Sequence, residues 1–130
     1  MGVANYFNPE VTHVTEGSDL FGRAFEHFLL NEIRAHLSYA GRDDGLAYWR
    51  TSSGFEVDLI VGDMLLAIEF KAKKEVRSTD LKGLRALREE HRVKRMVVVT
   101  REDRPRTTED RIELLPWRSF CTMLWAGEMV

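Results

Sequence analysis

Between residues 19 and 41, in DLFGRAFEHFLLNEIRAHLSYAG, apolar positions recur at helical spacing. Phe21, Ala24, Phe25, Phe28, Leu29, Leu30, Ile33 and Leu37 share one wide arc, with Arg23, His27, Arg34 and Ser38 opposite. Asp19 stands where a helix cap belongs and Gly41 where a helix ends. Glu26 falls between Ile33 and Leu37, inside the apolar arc, an unusual place for a carboxylate. The period then changes. AYWRT, FEVDLIV and MLLAIEFK read as three strands, the last two separated by Gly62-Asp63, a two-residue hairpin turn. STDLKGLRALREEH reads as a helix capped by Ser78 or Thr79, with Leu81, Leu84 and Leu87 facing inward. RMVVVT is a buried parallel strand by its β-branched run. After the polar loop REDRPRTTED come a short strand, RIELL, and a terminal helix opened by Pro116, PWRSFCTMLW. This order predicts an α/β fold with a mixed sheet flanked by helices, and a right-handed parallel crossover between residues 64 and 100. No repeat or linker divides the chain, so one domain is expected over 1–130, with a lead-in at 1–18 and the core at 19–130.

The hairpin carries the chemistry. A turn at Gly62-Asp63 pairs Val61 with Met64, Glu56 with Glu69, Asp58 with Ala67 and Gly54 with Lys71. Glu56, Asp58, Glu69 and Lys71 then emerge on one face, and Phe55, Val57, Leu59, Leu66, Ile68 and Phe70 on the other. Acids gathered in this way repel unless a cation neutralises them. Lys71 offsets one charge, and a hard divalent ion such as Mg²⁺ or Mn²⁺ suits the rest, since it takes a few carboxylate oxygens and keeps several waters. Asp58, Glu69 and Glu56 are the candidate ligands, with Glu26 reaching the same place from the first helix. An ordinary hairpin with one wet face has the same alternation. Two details set this one apart: Ile60, Leu65 and Ala67 share the acidic face, and Glu26 intrudes on an apolar arc.

Charge sharpens the picture. The net charge is −2, yet residues 71–95 hold ten Lys or Arg against four acids. Such clustering suits a phosphate-facing patch, with Lys73, Lys74, Arg77, Lys82 and Arg85 as candidate backbone contacts, and equally suits a soluble helix. Cys121 is the single cysteine, which precludes an internal disulfide and makes a reducing cytoplasm the expected location. No apolar run is long enough to span a bilayer, and MGVANYFNPE lacks the features of a signal peptide. His13, His27, His36 and His91 show no paired metal spacing, and His36 reads as packed or solvated rather than catalytic.

Glu26 in GRAFEHF, Asp58 in EVDLI, and Glu69 with Lys71 in IEFK resemble the PD-(D/E)xK nuclease superfamily, whose restriction-endonuclease-like core has the same αβββαβ order. GVANYF, FGRAFEHFLLNEI, YWRTSSGFEVDLIV, AIEFKAKKEV, DLKGLRAL and LPWRSF together resemble the uncharacterised C-terminal domain of a family of prokaryotic AAA-type P-loop ATPases, related to that nuclease fold. The resemblance implies a divalent-metal-dependent phosphodiester hydrolase acting on DNA. Asp58 and Glu69 would bind metal, Lys71 would assist at the attacking water, and Glu26 and Glu56 would support the site. It also implies an ATPase module in cis or in trans. The chain has no G-x-x-x-x-G-K-[S/T], so it is not itself the ATPase, and a fragment or a stand-alone copy is expected. One departure concerns the helix after the lysine strand, where the superfamily often carries Gln or Tyr and DLKGLRAL offers Lys82 and Arg85. A non-catalytic nucleic-acid-binding or regulatory module, an inert remnant and a homodimer all remain compatible with the sequence.

Overall fold

The computed structural model describes residues 19–130. The lead-in expected at 1–18 lies outside the described residues. Helix α1 spans Asp19–Tyr39 and buries Phe21, Ala24, Phe25, Leu29, Ile33 and Leu37, the arc read from the sequence. Strands β1 (Leu46–Arg50), β2 (Glu56–Val61) and β3 (Leu66–Phe70) follow. A 3-10 turn at Ser78–Leu81 leads into helix α2 (Lys82–Glu90). Next come β4 (Met96–Thr100), the two-residue β5 (Arg106–Thr107), β6 (Ile112–Pro116) and helix α3 (Trp117–Trp125).

The strands form one six-stranded sheet in the order β1-β2-β3-β4-β6-β5. β4 runs parallel to both β3 and β6, and the other pairs are antiparallel, so the sheet is mixed as expected. Every residue of β3 and β4 is buried, the condition of central strands covered on both faces. One face packs Leu59, Val61, Ile68, Phe70, Val97 and Val99 with α1 and α3 residues such as Leu29, Ile33 and Phe120. The other packs Ile60, Ala67, Met96 and Val98 with Leu81, Leu84 and Leu87 from the 3-10 turn and α2. Truncating any fully buried leucine here would cost about 2–5 kcal/mol.

The hairpin register differs from the expected one. The turn has four residues, Gly62 to Leu65, and pairs Val61 with Leu66, Ile60 with Ala67 and Leu59 with Ile68. Gly62 (φ 64°) and Met64 (φ 55°) both take left-handed conformations. The Met64 carbonyl accepts the Lys94 N–H at 2.9 Å, so Met64 serves the neighbouring chain segment rather than the ladder. The register moves by two residues, an even number, so each side chain in the ladder keeps its face. The next step of that register sets Asp58, not Glu56, against Glu69.

A β-bulge adds a second difference. Ala47 pairs with Ile60 but Trp49 with Val57, so Tyr48 stands opposite both Asp58 and Leu59. Past the bulge the alternation reverses, and Val57 joins the α2-side core instead of sharing the face of Leu59.

α2 approaches β2 closely. A Cβ on Gly83 would lie 1.9 Å from the Glu56 carbonyl oxygen, so only glycine fits at this point. The start of α2 is thereby seated against the start of β2, beside the acidic residues.

Candidate active site at the splayed end of β2 and β3

The β2–β3 ladder ends at Leu59 and Ile68. Beyond it the backbone amides of Asp58 and Phe70 need other acceptors, because a partly buried N–H left unpaired costs free energy. The acidic side chains supply them. Glu69 Oε1 accepts the Asp58 N–H at 3.0 Å, and Asp58 Oδ2 accepts the Phe70 N–H at 2.9 Å. Each carboxylate therefore closes the gap left by the other's strand and is held rigidly by main chain. Glu69 Oε2 lies 3.7 Å from Lys71 Nζ.

The environment works against ionisation. Glu69 is only 5% exposed. Burial first, then the charge of Asp58, raises its carboxyl from 4.5 to about 8, against the pull of Lys71 and the Asp58 N–H. Asp58 is raised above its ordinary value by burial, opposed by the Phe70 N–H and Lys71. Glu26 is exposed on α1 and is also raised, by loss of water on its inner side and then by Asp58, with Lys71 opposing. These electrostatic couplings place Glu26, Asp58, Glu69 and Lys71 in one group.

Two open grooves meet at Asp58. One is lined by Glu26, Tyr48, Trp49, Arg50, Glu56 and Val57 together with Asp58. The other holds Phe55, Glu56, Asp58, Glu69, Lys71 and Lys82 among its walls. Glu56 lies on the rim of both, more than half exposed and paired with Arg50 at 3.0 Å across β1 and β2. It is thus displaced from the position opposite Glu69 that a two-residue turn implies.

The donor set can be compared with the ion that the sequence suggests. Asp58 and Glu69 each spend one oxygen on a backbone amide, which leaves Asp58 Oδ1 and, shared with the Lys71 ammonium 3.7 Å away, Glu69 Oε2. Two hard oxygens beside open grooves suit Mg²⁺ or Mn²⁺, which keep several waters. Among the described residues no three His, Cys, Asp or Glu side chains converge as a fuller cage, and the nitrogen and sulfur ligands of a structural zinc site are lacking there. The fit is therefore to an ion held by two carboxylates.

The basic stretch is less open than its composition suggests. Lys73 donates to Asp80 at 2.7 Å. Arg85 donates to Asp110 at 2.9 Å and to Ser78 at 2.8 Å. Lys74 and Arg77 are exposed on the β3–α2 connection, and Lys82 is exposed on a groove wall. Asp110 comes from the loop before β6, remote in sequence, so a local charge count does not register it. Two groove features escaped the sequence reading. The aromatics Tyr48 and Phe55 flank Asp58, and Gly83 seats α2; a glycine inside a short helix was the available signal. His36 is packed, with Nε2 3.2 Å from the Val130 carbonyl and its ring edge-on to Trp125. No helix among the described residues is long and apolar enough to cross a membrane.

Compared with known proteins, residues 21–120 match the model of a family described as a domain of unknown function, DUF4143. No curated protein and no solved structure matches the chain.

Proposed function

The chain belongs to this DUF4143 family, and from that premise we propose that it is a divalent-metal-dependent phosphodiester hydrolase of the PD-(D/E)xK type acting on DNA. The observation that carries the reading is the pair Asp58 and Glu69, each locked by the other's strand and both resisting ionisation, with Lys71 alongside. Such a pair is costly to a fold and profitable to a cation site. A bound Mg²⁺ or Mn²⁺ would polarise the phosphodiester and lower the pKa of water. Asp58 and Glu69 would hold the ion, while Lys71 would orient the attacking water and stabilise charge developing on the phosphate. Glu26 lines the groove beside Asp58 and would support the site from α1, and Glu56, braced by Arg50, shapes its rim.

Cleavage of plasmid and oligonucleotide DNA with Mg²⁺ or Mn²⁺ tests the reading. Asp58→Asn and Lys71→Ala are each expected to lower the rate by about a hundredfold or more. The thermal midpoint of Asp58→Asn should be unchanged or higher, since the Asn oxygen still accepts the Phe70 N–H and a disfavoured charge is gone. Absence of metal-dependent cleavage by the wild type, or full cleavage by Asp58→Asn, would overturn it.

One observation favours a second reading. No third acidic, histidine or cysteine ligand converges on the pair among the described residues. A non-catalytic module that binds nucleic acid, or regulates a P-loop ATPase in cis or in trans, needs only the grooves and their cations. Retention of an ATPase by the wild type and by Asp58→Asn alike, without cleavage, would select it.

A further inference from the structure

Single exposed apolar side chains are ordinary, as Tyr39 and Trp125 are here, whereas exposed rings gathered around one site mark a contact surface. Tyr48 is 72% exposed and Phe55 39%. Both flank the same carboxylate, Tyr48 in one groove and Phe55 in the other, with Asp58 in each. Tyr48 stands opposite Asp58 at the β-bulge, so its place next to the acid is set by strand pairing. Two residues earlier in the same strand, Leu46 packs against the main core, whereas Tyr48 is left open. Phe55 is positioned by its own backbone: its N–H donates to Thr51 Oγ1 at 3.0 Å and its carbonyl accepts the Thr51 N–H at 2.9 Å. The β1–β2 connection therefore fixes the Phe55 backbone beside the groove that its side chain lines.

Cations accompany the rings. The Arg50 guanidinium lies 5.8 Å from the Tyr48 ring centre, and exposed Lys82 lines the groove with Phe55. Flat aromatic faces beside cations suit nucleobases whose own faces are free, with the phosphates running past the charges. Inside a duplex those faces are covered by neighbouring base pairs, and rings on a groove wall cannot reach them.

We propose that the site takes single-stranded nucleic acid, or an unpaired stretch beside a duplex, with bases stacked on Tyr48 and Phe55 on either side of the Asp58 carboxylate. The inference rests on the hydrolase reading for its location and goes beyond it in the class of substrate. Lys82 would neutralise phosphate on one side, and Arg50 on the other by leaving or sharing its ion pair with Glu56.

Fluorescence anisotropy with labelled oligodeoxythymidine of about 15 nucleotides and a blunt duplex of equal length tests it. Ca²⁺ replaces Mg²⁺ so that binding is read without cleavage. The wild type should bind the single strand at least tenfold more tightly than the duplex. Tyr48→Ala combined with Phe55→Ala should reduce that preference by about tenfold or more, the effect of losing base–aromatic stacking. A wild type that prefers the duplex, or a preference untouched in the double variant, would overturn the proposal. Rings that serve a protein partner would give the latter result. The hydrolase reading would survive either outcome, provided that cleavage still depended on Asp58. Failure of both oligonucleotides to bind would remove the substrate proposal and the DNA-directed reading together.

Discussion

Gly83→Ala should destabilise the protein by about 3 kcal/mol or more, lowering the thermal midpoint by more than roughly ten degrees. The added Cβ would sit 1.9 Å from the Glu56 carbonyl oxygen, and backbone stands on both sides of the clash. No rotamer change relieves it. Either α2 retreats, pulling the fully buried Leu84 and Leu87 out of register with the sheet, or the start of β2 bends away. Both movements disturb the groove between Lys82 and Asp58, so any activity should fall with stability. Gly22 provides the contrast. It lies within α1 with open space where a Cβ would go, and Gly22→Ala should stabilise by up to about 1 kcal/mol through helix propensity. Thermal denaturation of the two variants checks both signs. A Gly83→Ala protein that melts with the wild type would show that α2 is not seated against Glu56.

The second large effect is on pH dependence. Glu69→Gln should make the protein more stable above neutral pH while changing little near pH 4.5. The Glu69 carboxyl is raised from 4.5 to about 8 in the folded chain, so the fold prefers its protonated form. Below pH 4.5 both folded and unfolded chains carry the proton, and no penalty exists. As pH rises from 4.5 towards 8, the unfolded chain releases the proton while the folded chain retains it, and stability falls throughout that window. Above about 8 the penalty is complete. Glutamine is neutral at every pH and its amide oxygen can still accept the Asp58 N–H, so the variant escapes the loss. The gain should be on the order of 3 kcal/mol at pH 8–9. Urea denaturation from pH 4.5 to 9 reads it directly. Parallel stability curves for variant and wild type would mean that Glu69 ionises freely in the folded protein.

Several of these features could be read from the chain. Period-two alternation with an assumed turn at Gly62-Asp63 put Glu56, Asp58, Glu69 and Lys71 on one face. The ladder ends at Leu59 and Ile68, and Asp58 and Glu69 meet through their exchanged bonds to backbone amides, while Glu56 stands at the rim with Arg50. Helical periodicity likewise marked Glu26 as a carboxylate among apolar neighbours. The register itself was not legible, because Gly62-Asp63 satisfies a two-residue turn as well as a four-residue one, and what distinguishes them are the Leu65 N–H to Val61 carbonyl and Lys94 N–H to Met64 carbonyl hydrogen bonds. The bulge opposite Tyr48 was hidden for a similar reason: β1 and β2 each alternate plausibly alone, and only their pairing reveals the extra residue. β5 is two residues inside a polar loop, too short to leave a period. The basic stretch misled by its locality, since Arg85 answers to Asp110, which lies 25 residues further along.

We propose that Asp58 and Glu69 form a cation site, which offsets the charge that their burial disfavours. Calorimetric titration of Mn²⁺ and Mg²⁺ into wild type and Asp58→Asn at pH 8 and moderate salt tests it most directly. Saturable binding to the wild type, lost in Asp58→Asn while that variant stays folded, is the predicted result. Heats that never saturate at millimolar ion with the wild type, or equal binding by the two proteins, would contradict the account.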